Sequence, residues 1–213
     1  MDKPNISPEK SSIFEILLAA DASAEAEFLA PLLSSNIKVA ALDPKETSIE
    51  VAELLTQAVS ALVLLVSAKT GISKGMIDLW NYAMERQFPR MVVVNQLSFS
   101  ETDFDDIVLI VNRVLEVGLT PYLVLHDEIG EPTGLISLDS KEVHDYSAPI
   151  TSRYLADSEL QSLVQEFASE YQEQLAAFES DSFAQGLMVP ILPVMEAKLL
   201  GVTEIREYLA QIG

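Results

Sequence analysis

The chain has 213 residues, 49% of them apolar and none of them cysteine, enough for one domain with a buried core plus an insertion and without disulfide or thiolate chemistry. Acidic side chains number 33 against 13 basic ones, a formal charge of −20 that leaves no clustered Lys or Arg to neutralise a phosphate backbone, so direct nucleic-acid binding is set aside. Apolar runs reach only about six residues against the roughly 20 of a membrane helix, and the polar start MDKPNISPEKSS holds no signal core, so a cytoplasmic location without a membrane span is expected.

Residues 1–12 read as a flexible tail. An apolar strand over 13–19 follows, then a helix over 23–33 with Ser23 as candidate N-cap, and a second strand over 37–42. Residues 48–59 are helical by spacing, with Ile49, Ala52, Leu55 and Val59 on one face, and 61–66 form a third strand. A helix from Ser73 to about Arg86, a strand over 91–94 and a helix from Asp103 to Leu115 continue the alternation. Strands apolar on both faces that alternate with helices predict a doubly wound α/β domain around a parallel sheet.

Beyond Gly118 the pattern changes. Residues 121–125 and 134–138, separated by the turn signal Gly130-Glu131-Pro132-Thr133, read as short antiparallel strands. From about Ser152 a helix is expected, carrying Leu155, Leu160, Leu163, Val164, Phe167 and Tyr171 at helical spacing. Residues 187–192 return to the main sheet, and 202–212 close the domain.

Several segments in fixed order carry a resemblance. They are the strand 61–68, the helix with Trp80, Pro89-Arg90, the strand from Val92 to Asn95, Asp103-Phe104-Asp105, the run PYLVLHDEIGEPTGLISL and the run GLMVPILPVMEAKLLGVTEI. In this order and spacing they resemble the G domain of elongation factor G, the ribosomal translocation GTPase, well over 48–213 and weakly over 13–47. The resemblance implies a P-loop GTPase type of sheet at 13–118 and 186–213, a degenerate G domain, with an inserted α+β subdomain at 119–185. It also implies that the chain corresponds to the family's first domain alone.

The nucleotide motifs of that family are missing. Phosphate loops need glycines so that backbone N–H groups can wrap the anion, a Lys for charge and a Ser or Thr on Mg²⁺. In the matching register the chain reads from Ala19 through Asp21 to Ala26: no glycine, Glu25 in place of the Lys, and Ala26 in place of the Mg²⁺ ligand. One carboxylate about 5 Å from a phosphate charge costs roughly 3 kcal/mol at an effective dielectric of 20. Only 17 residues separate Ala26 from Asp43-Pro44, too few for the family's switch loop and its antiparallel edge strand. At the base end Asn95 is kept, but Gln96 stands for the Lys, Ser98 for the guanine-reading Asp, and Met195-Glu196 for the last loop's Ser-Ala. The plain reading of Asn95 is a strand-end residue that ties loops together.

Without the edge strand, the five parallel strands take the order 2-1-3-4-5 shared with receiver domains, yet Ser67-Ala68 and Gln96 replace a phosphoacceptor Asp and its Lys. His126 and His144 lie near Asp127, Glu128 and Asp145, but read as scattered surface residues rather than metal ligands. Trp80 reads as core.

The expectation is a pseudo-GTPase that has no catalytic residues and acts as a protein-interaction module. The vestigial pocket would comprise Asp21, Glu25, Ala26, Asn95, Ser98, Met195 and Glu196, with no cofactor. A translation component such as the ribosomal stalk protein is the partner that the resemblance implies. One alternative is a divergent GTPase that binds GTP or GDP and Mg²⁺ through a rearranged loop. Another is a homo-oligomer pairing through the strand at 37–42.

Overall fold

The computed structural model describes residues 15–21, 25–97 and 103–212. The expected tail at 1–12, the first positions of the strand at 13–19, Ser23 as a cap and Ser98 lie outside the described residues. Strand and helix alternate through β1 (Ile16–Ala20), α1 (Ala26–Leu33), β2 (Ile37–Ala41), α2 (Ile49–Thr56), β3 (Ala61–Ser67), α3 (Lys74–Glu85), β4 (Arg90–Asn95) and α4 (Phe104–Val114). Then come β5 (Tyr122–His126), β6 (Pro132–Ser137), β7 (Glu142–Asp145), β8 (Ser152–Leu155), α5 (Ser158–Leu163), α6 (Gln165–Leu175), β9 (Ile191–Pro193) and α7 (Val202–Leu209).

Five strands form one parallel sheet in the order β2-β1-β3-β4-β9. Its central strands, β1, β3 and β4, are buried throughout. Alternate residues serve opposite faces: Leu18, Val63, Leu65 and Val93 pack with Leu29 of α1 and Ile205 of α7, while Leu17, Leu64, Val66 and Val92 pack with Ala52, Leu79, Trp80 and Val111 of α2, α3 and α4. Each fully buried Leu or Val stabilises the fold by roughly 1.5–3 kcal/mol, and such residues must be apolar on both faces, which is why these strands read as continuous hydrophobic runs. Trp80 is fully buried, as its helical position predicts.

Helix starts follow their caps. The side chains of Ser48, Ser73, Asp103 and Asp157 accept from the N–H groups of Val51, Met76, Asp106 and Leu160, and each such cap contributes about 1 kcal/mol.

A second, antiparallel sheet runs β5-β6-β7-β8. Ile136, Leu138 and Val143 join the same core cluster as Leu18 and Ile205, so this sheet lies against the α1/α7 side of the parallel one.

The helix expected from Ser152 is corrected. Residues 152–155 form β8, paired antiparallel with β7, and Leu155 is exposed. Asp157 starts the helix, and it breaks at Val164 into α5 and α6. Helical spacing between Leu155 and Leu160 could not reveal that residues 152–155 pair with a strand seven to thirteen residues upstream. Nor did β7 announce itself: Glu142-Val143-His144-Asp145 is too short and too polar to read as a strand.

Among the described residues, no helix is long and apolar enough to cross a membrane.

Candidate functional site

Open α/β sheets hold ligands beyond the carboxyl ends of their strands, at the point where strand order reverses. Here that point lies between β1 and β3, and the cavity nearest to it opens on the β2 side of β1. Asp21 directly follows β1, Glu25 precedes α1 and Ala26 is its first residue. Together with Glu27, Phe28 and the β2 residues Val39, Ala40 and Ala41, they line a cavity of about 770 Å³. Among the described residues its ionisable lining is three carboxylates and no base. Glu25 makes no side-chain cap to α1. Such a cavity repels a phosphate and attracts a cation.

Asn95, Met195 and Glu196 gather at the ends of β4 and β9. Asn95 is fully buried, and its carbonyl accepts from the Ala68 N–H at 3.0 Å. Its amide nitrogen donates to a Glu196 oxygen at 3.1 Å, while its amide oxygen is buried with no hydrogen-bond partner among the described residues. Met195 is buried and exchanges backbone hydrogen bonds with Leu200 at 3.0 and 3.2 Å, which closes the loop that carries Glu196. Gly201 permits this closure: its φ is +82°, and a Cβ there would lie 1.9 Å from the Pro193 carbonyl oxygen.

Gln96 joins two strand ends. Its side-chain oxygen accepts from the Ser67 hydroxyl at 2.5 Å, and Ser67 in turn accepts from the Lys69 and Thr70 N–H groups at 3.1 and 3.4 Å. The ends of β3 and β4 are thereby tied together.

The structure therefore brings Asp21, Glu25 and Ala26 together at one cavity, and Asn95, Met195 and Glu196 together at the neighbouring strand ends; Ser98 lies outside the described residues.

Two clusters were not read from the sequence. Arg90 is 4% exposed and forks onto Glu116, with Nε to Oε1 at 2.6 Å and Nη2 to Oε2 at 2.8 Å, while Nη1 donates to the Phe88 and Gly186 carbonyls at 3.0 Å each. It also sits 5.6 Å from the Trp80 ring. The second cluster corrects the placement of one histidine. His144 is buried, not on the surface, and its Nδ1 lies 2.5 Å from the carboxylate of the fully buried Glu204. His126, at the end of β5, is exposed. Burial pushes the Glu204 carboxyl up, but hydrogen bonds from His144 and Tyr146 outweigh it and hold the pKa below the ordinary value. The partners are 60 and 58 residues apart in the chain, so no local spacing could signal them.

No family model matches the chain, and no curated protein does. A crystal structure of a protein from Thermus thermophilus does: it superposes with a TM-score of 0.69 at 17% identity, over 94% of this chain and 40% of that one. At that identity the likeness is one of fold. The chain spans about 40% of that protein's length. It is a mixed α/β protein with a five-stranded parallel sheet and a separate antiparallel sheet.

Proposed function

We propose that the chain is a pseudo-GTPase, related to the G domain of elongation factor G, that acts as a protein-interaction module. The observation that carries this reading is the cavity at the carboxyl ends of β1 and β2, whose ionisable lining among the described residues is Asp21, Glu25 and Glu27. Several carboxylates facing a polyphosphate would each cost roughly 3 kcal/mol at about 5 Å and an effective dielectric of 20. Two further features support it. Glu196 engages the Asn95 amide, and Gln96 holds Ser67 where the family would carry a lysine on the base. A site built on buried hydrogen bonds loses most discrimination when its partners are otherwise engaged.

The interaction partner would be a protein, and the resemblance makes a translation component such as the ribosomal stalk the first to test. Calorimetry with GDP and Mg²⁺ tests the loss of nucleotide binding: no heat of binding is expected, and micromolar affinity would overturn the reading. Affinity capture from the native cell tests the partner.

One observation favours a second reading. The Asn95 amide oxygen, buried without a partner among the described residues, is an acceptor that a ligand donor could satisfy. A divergent GTPase with a rearranged phosphate loop would use it, and the same calorimetry decides between the two.

A further inference from the structure

β2 ends the parallel sheet, and among the described residues only its β1 side is paired. The Ile16 N–H donates to the Asn36 carbonyl at 3.0 Å, and the Leu42 N–H donates to the Ala20 carbonyl at 2.7 Å. Even-numbered positions therefore face β1. Alternation along the strand then turns the N–H and C=O groups of Ile37, Val39 and Ala41 outward.

Edge strands are usually guarded by a lysine, a proline or a bulge. In β2 the sole charged residue is Lys38, and its ammonium donates to the carbonyls of Leu54 and Leu55, at 3.4 and 3.3 Å, at the end of α2. That lysine is anchored to α2 instead of screening the edge. Val39 is 38% exposed and Phe28 57%, which gives the same flank an apolar surface. Beside the carboxyl end of β2 lies the cavity of Asp21, Glu25 and Glu27.

We infer that β2 takes up an extended segment of a partner protein as a sixth strand, with a Lys or Arg of that segment reaching into the carboxylate-lined cavity. This rests on the protein-interaction reading and names the chemistry of the partner. A bare row of backbone donors and acceptors selects a strand, and alternate side chains of that strand supply specificity. Charge selects the sign: the chain carries −20, so a basic segment is steered in while a second copy brings a second −20.

A short labelled peptide of alternating Val and Lys, followed by fluorescence anisotropy at low salt, tests this. Wild-type protein should bind it, and the same peptide with Glu in place of Lys should not bind. Val39→Pro removes an outward N–H that the β1 ladder does not use, so the fold should persist by circular dichroism while binding weakens about tenfold or more, equivalent to about 1.4 kcal/mol. A peptide N-methylated at alternate residues should lose binding to the wild type in the same way, and decides the matter if Val39→Pro fails to fold. Glu25→Gln with Glu27→Gln should weaken binding and flatten its salt dependence.

Peptide binding indifferent to both Val39→Pro and N-methylation would be charge attraction alone and overturns the inference. So does a wild-type dimer in sedimentation that Val39→Pro converts to monomer, which would make a second copy the occupant. Protein capture that survives Val39→Pro would defeat this docking mode yet leave the interaction reading standing, whereas micromolar GDP binding would defeat that reading.

Discussion

The Tyr146 hydroxyl lies 2.9 and 2.8 Å from the two carboxylate oxygens of Glu204, and through them the end of the antiparallel sheet is fastened to the C-terminal helix of the parallel domain. His144 holds the same carboxylate from β7, and Arg153 of β8 stands 3.7 Å from it while pairing with Glu207 at 3.1 Å. Because Glu204 is fully buried, each of these donors offsets part of the cost of keeping a charge out of water. Tyr146→Phe removes one donor with little change of shape. A loss of about 1.5–3 kcal/mol is expected, in the range for a hydrogen bond to a charged group. Urea unfolding measures it, and a change below about 0.5 kcal/mol, the usual size of a surface substitution, would show that the carboxylate is satisfied without the tyrosine.

The same carboxylate sets a pH dependence. Its folded pKa is held below the ordinary value, so its contribution to stability is fully present above the unfolded pKa and is lost as pH falls through the folded one. Asp78 and Asp145 are shifted in the same direction and share the acid limb, so the wild-type profile alone does not isolate Glu204. The comparison with Glu204→Gln does. The stability difference between the two proteins should shrink as pH drops from about 6 to 3. Parallel curves over that interval would assign the acid sensitivity to other carboxylates.

Arg90 illustrates geometry that a charge alone cannot replace. Its fork binds both oxygens of Glu116, and its remaining nitrogen binds the carbonyls before β4 and at Gly186, so one guanidinium joins the segment after α4 to the chain returning toward β9. Arg90→Lys keeps the charge but cannot reproduce the planar fork. A destabilisation of about 2–4 kcal/mol is expected, short of the 3–5 kcal/mol for breaking a buried pair because Glu116 is partly exposed and can be rehydrated. A thermal midpoint unchanged in Arg90→Lys would mean that the pair is worth no more than a surface one.

The parallel sheet was legible because its strands satisfy two faces at once. Runs such as Ala61-Leu62-Val63-Leu64-Leu65-Val66 have one reading, and Ser48, Ser73 and Asp103 mark helix starts through a local hydrogen bond, whereas the helical spacing that suggests a start near Ser152 hides the cap at Asp157. The antiparallel sheet was legible at β5 and β6, although the turn lies at 127–131 and the Pro132-Thr133 of the expected turn already belongs to β6, and illegible at β7 and β8. There β8 is exposed along its whole length and owes its conformation to a partner strand rather than to its own pattern. At the candidate site, the loss of glycines and the presence of Glu25 could be read residue by residue. The engagement of Asn95 by Glu196 could not, since 101 residues separate them and only the closure of the Met195 to Leu200 loop brings the carboxylate to the amide.

Glu25→Lys places a cation where the resembled family has one, yet it should not restore GDP binding. At about 5 Å and a dielectric of 20, the exchange turns a repulsion of roughly 3 kcal/mol per phosphate charge into an attraction of similar size. Asp21 and Glu27 remain in the cavity and oppose it. The backbone supplies no compensation, because alanines stand at 19 and 24, where glycines would let N–H groups approach a phosphate, and Ala19 is buried in β1. Ala26 offers no hydroxyl to Mg²⁺, and the Asn95 amide stays bound to Glu196. Calorimetry of Glu25→Lys with GDP and Mg²⁺ should therefore show no saturable heat up to millimolar nucleotide. Micromolar binding by this single variant would mean that one charge, not the missing backbone cradle, had been the barrier, and the nucleotide-binding reading would displace the pseudo-GTPase one.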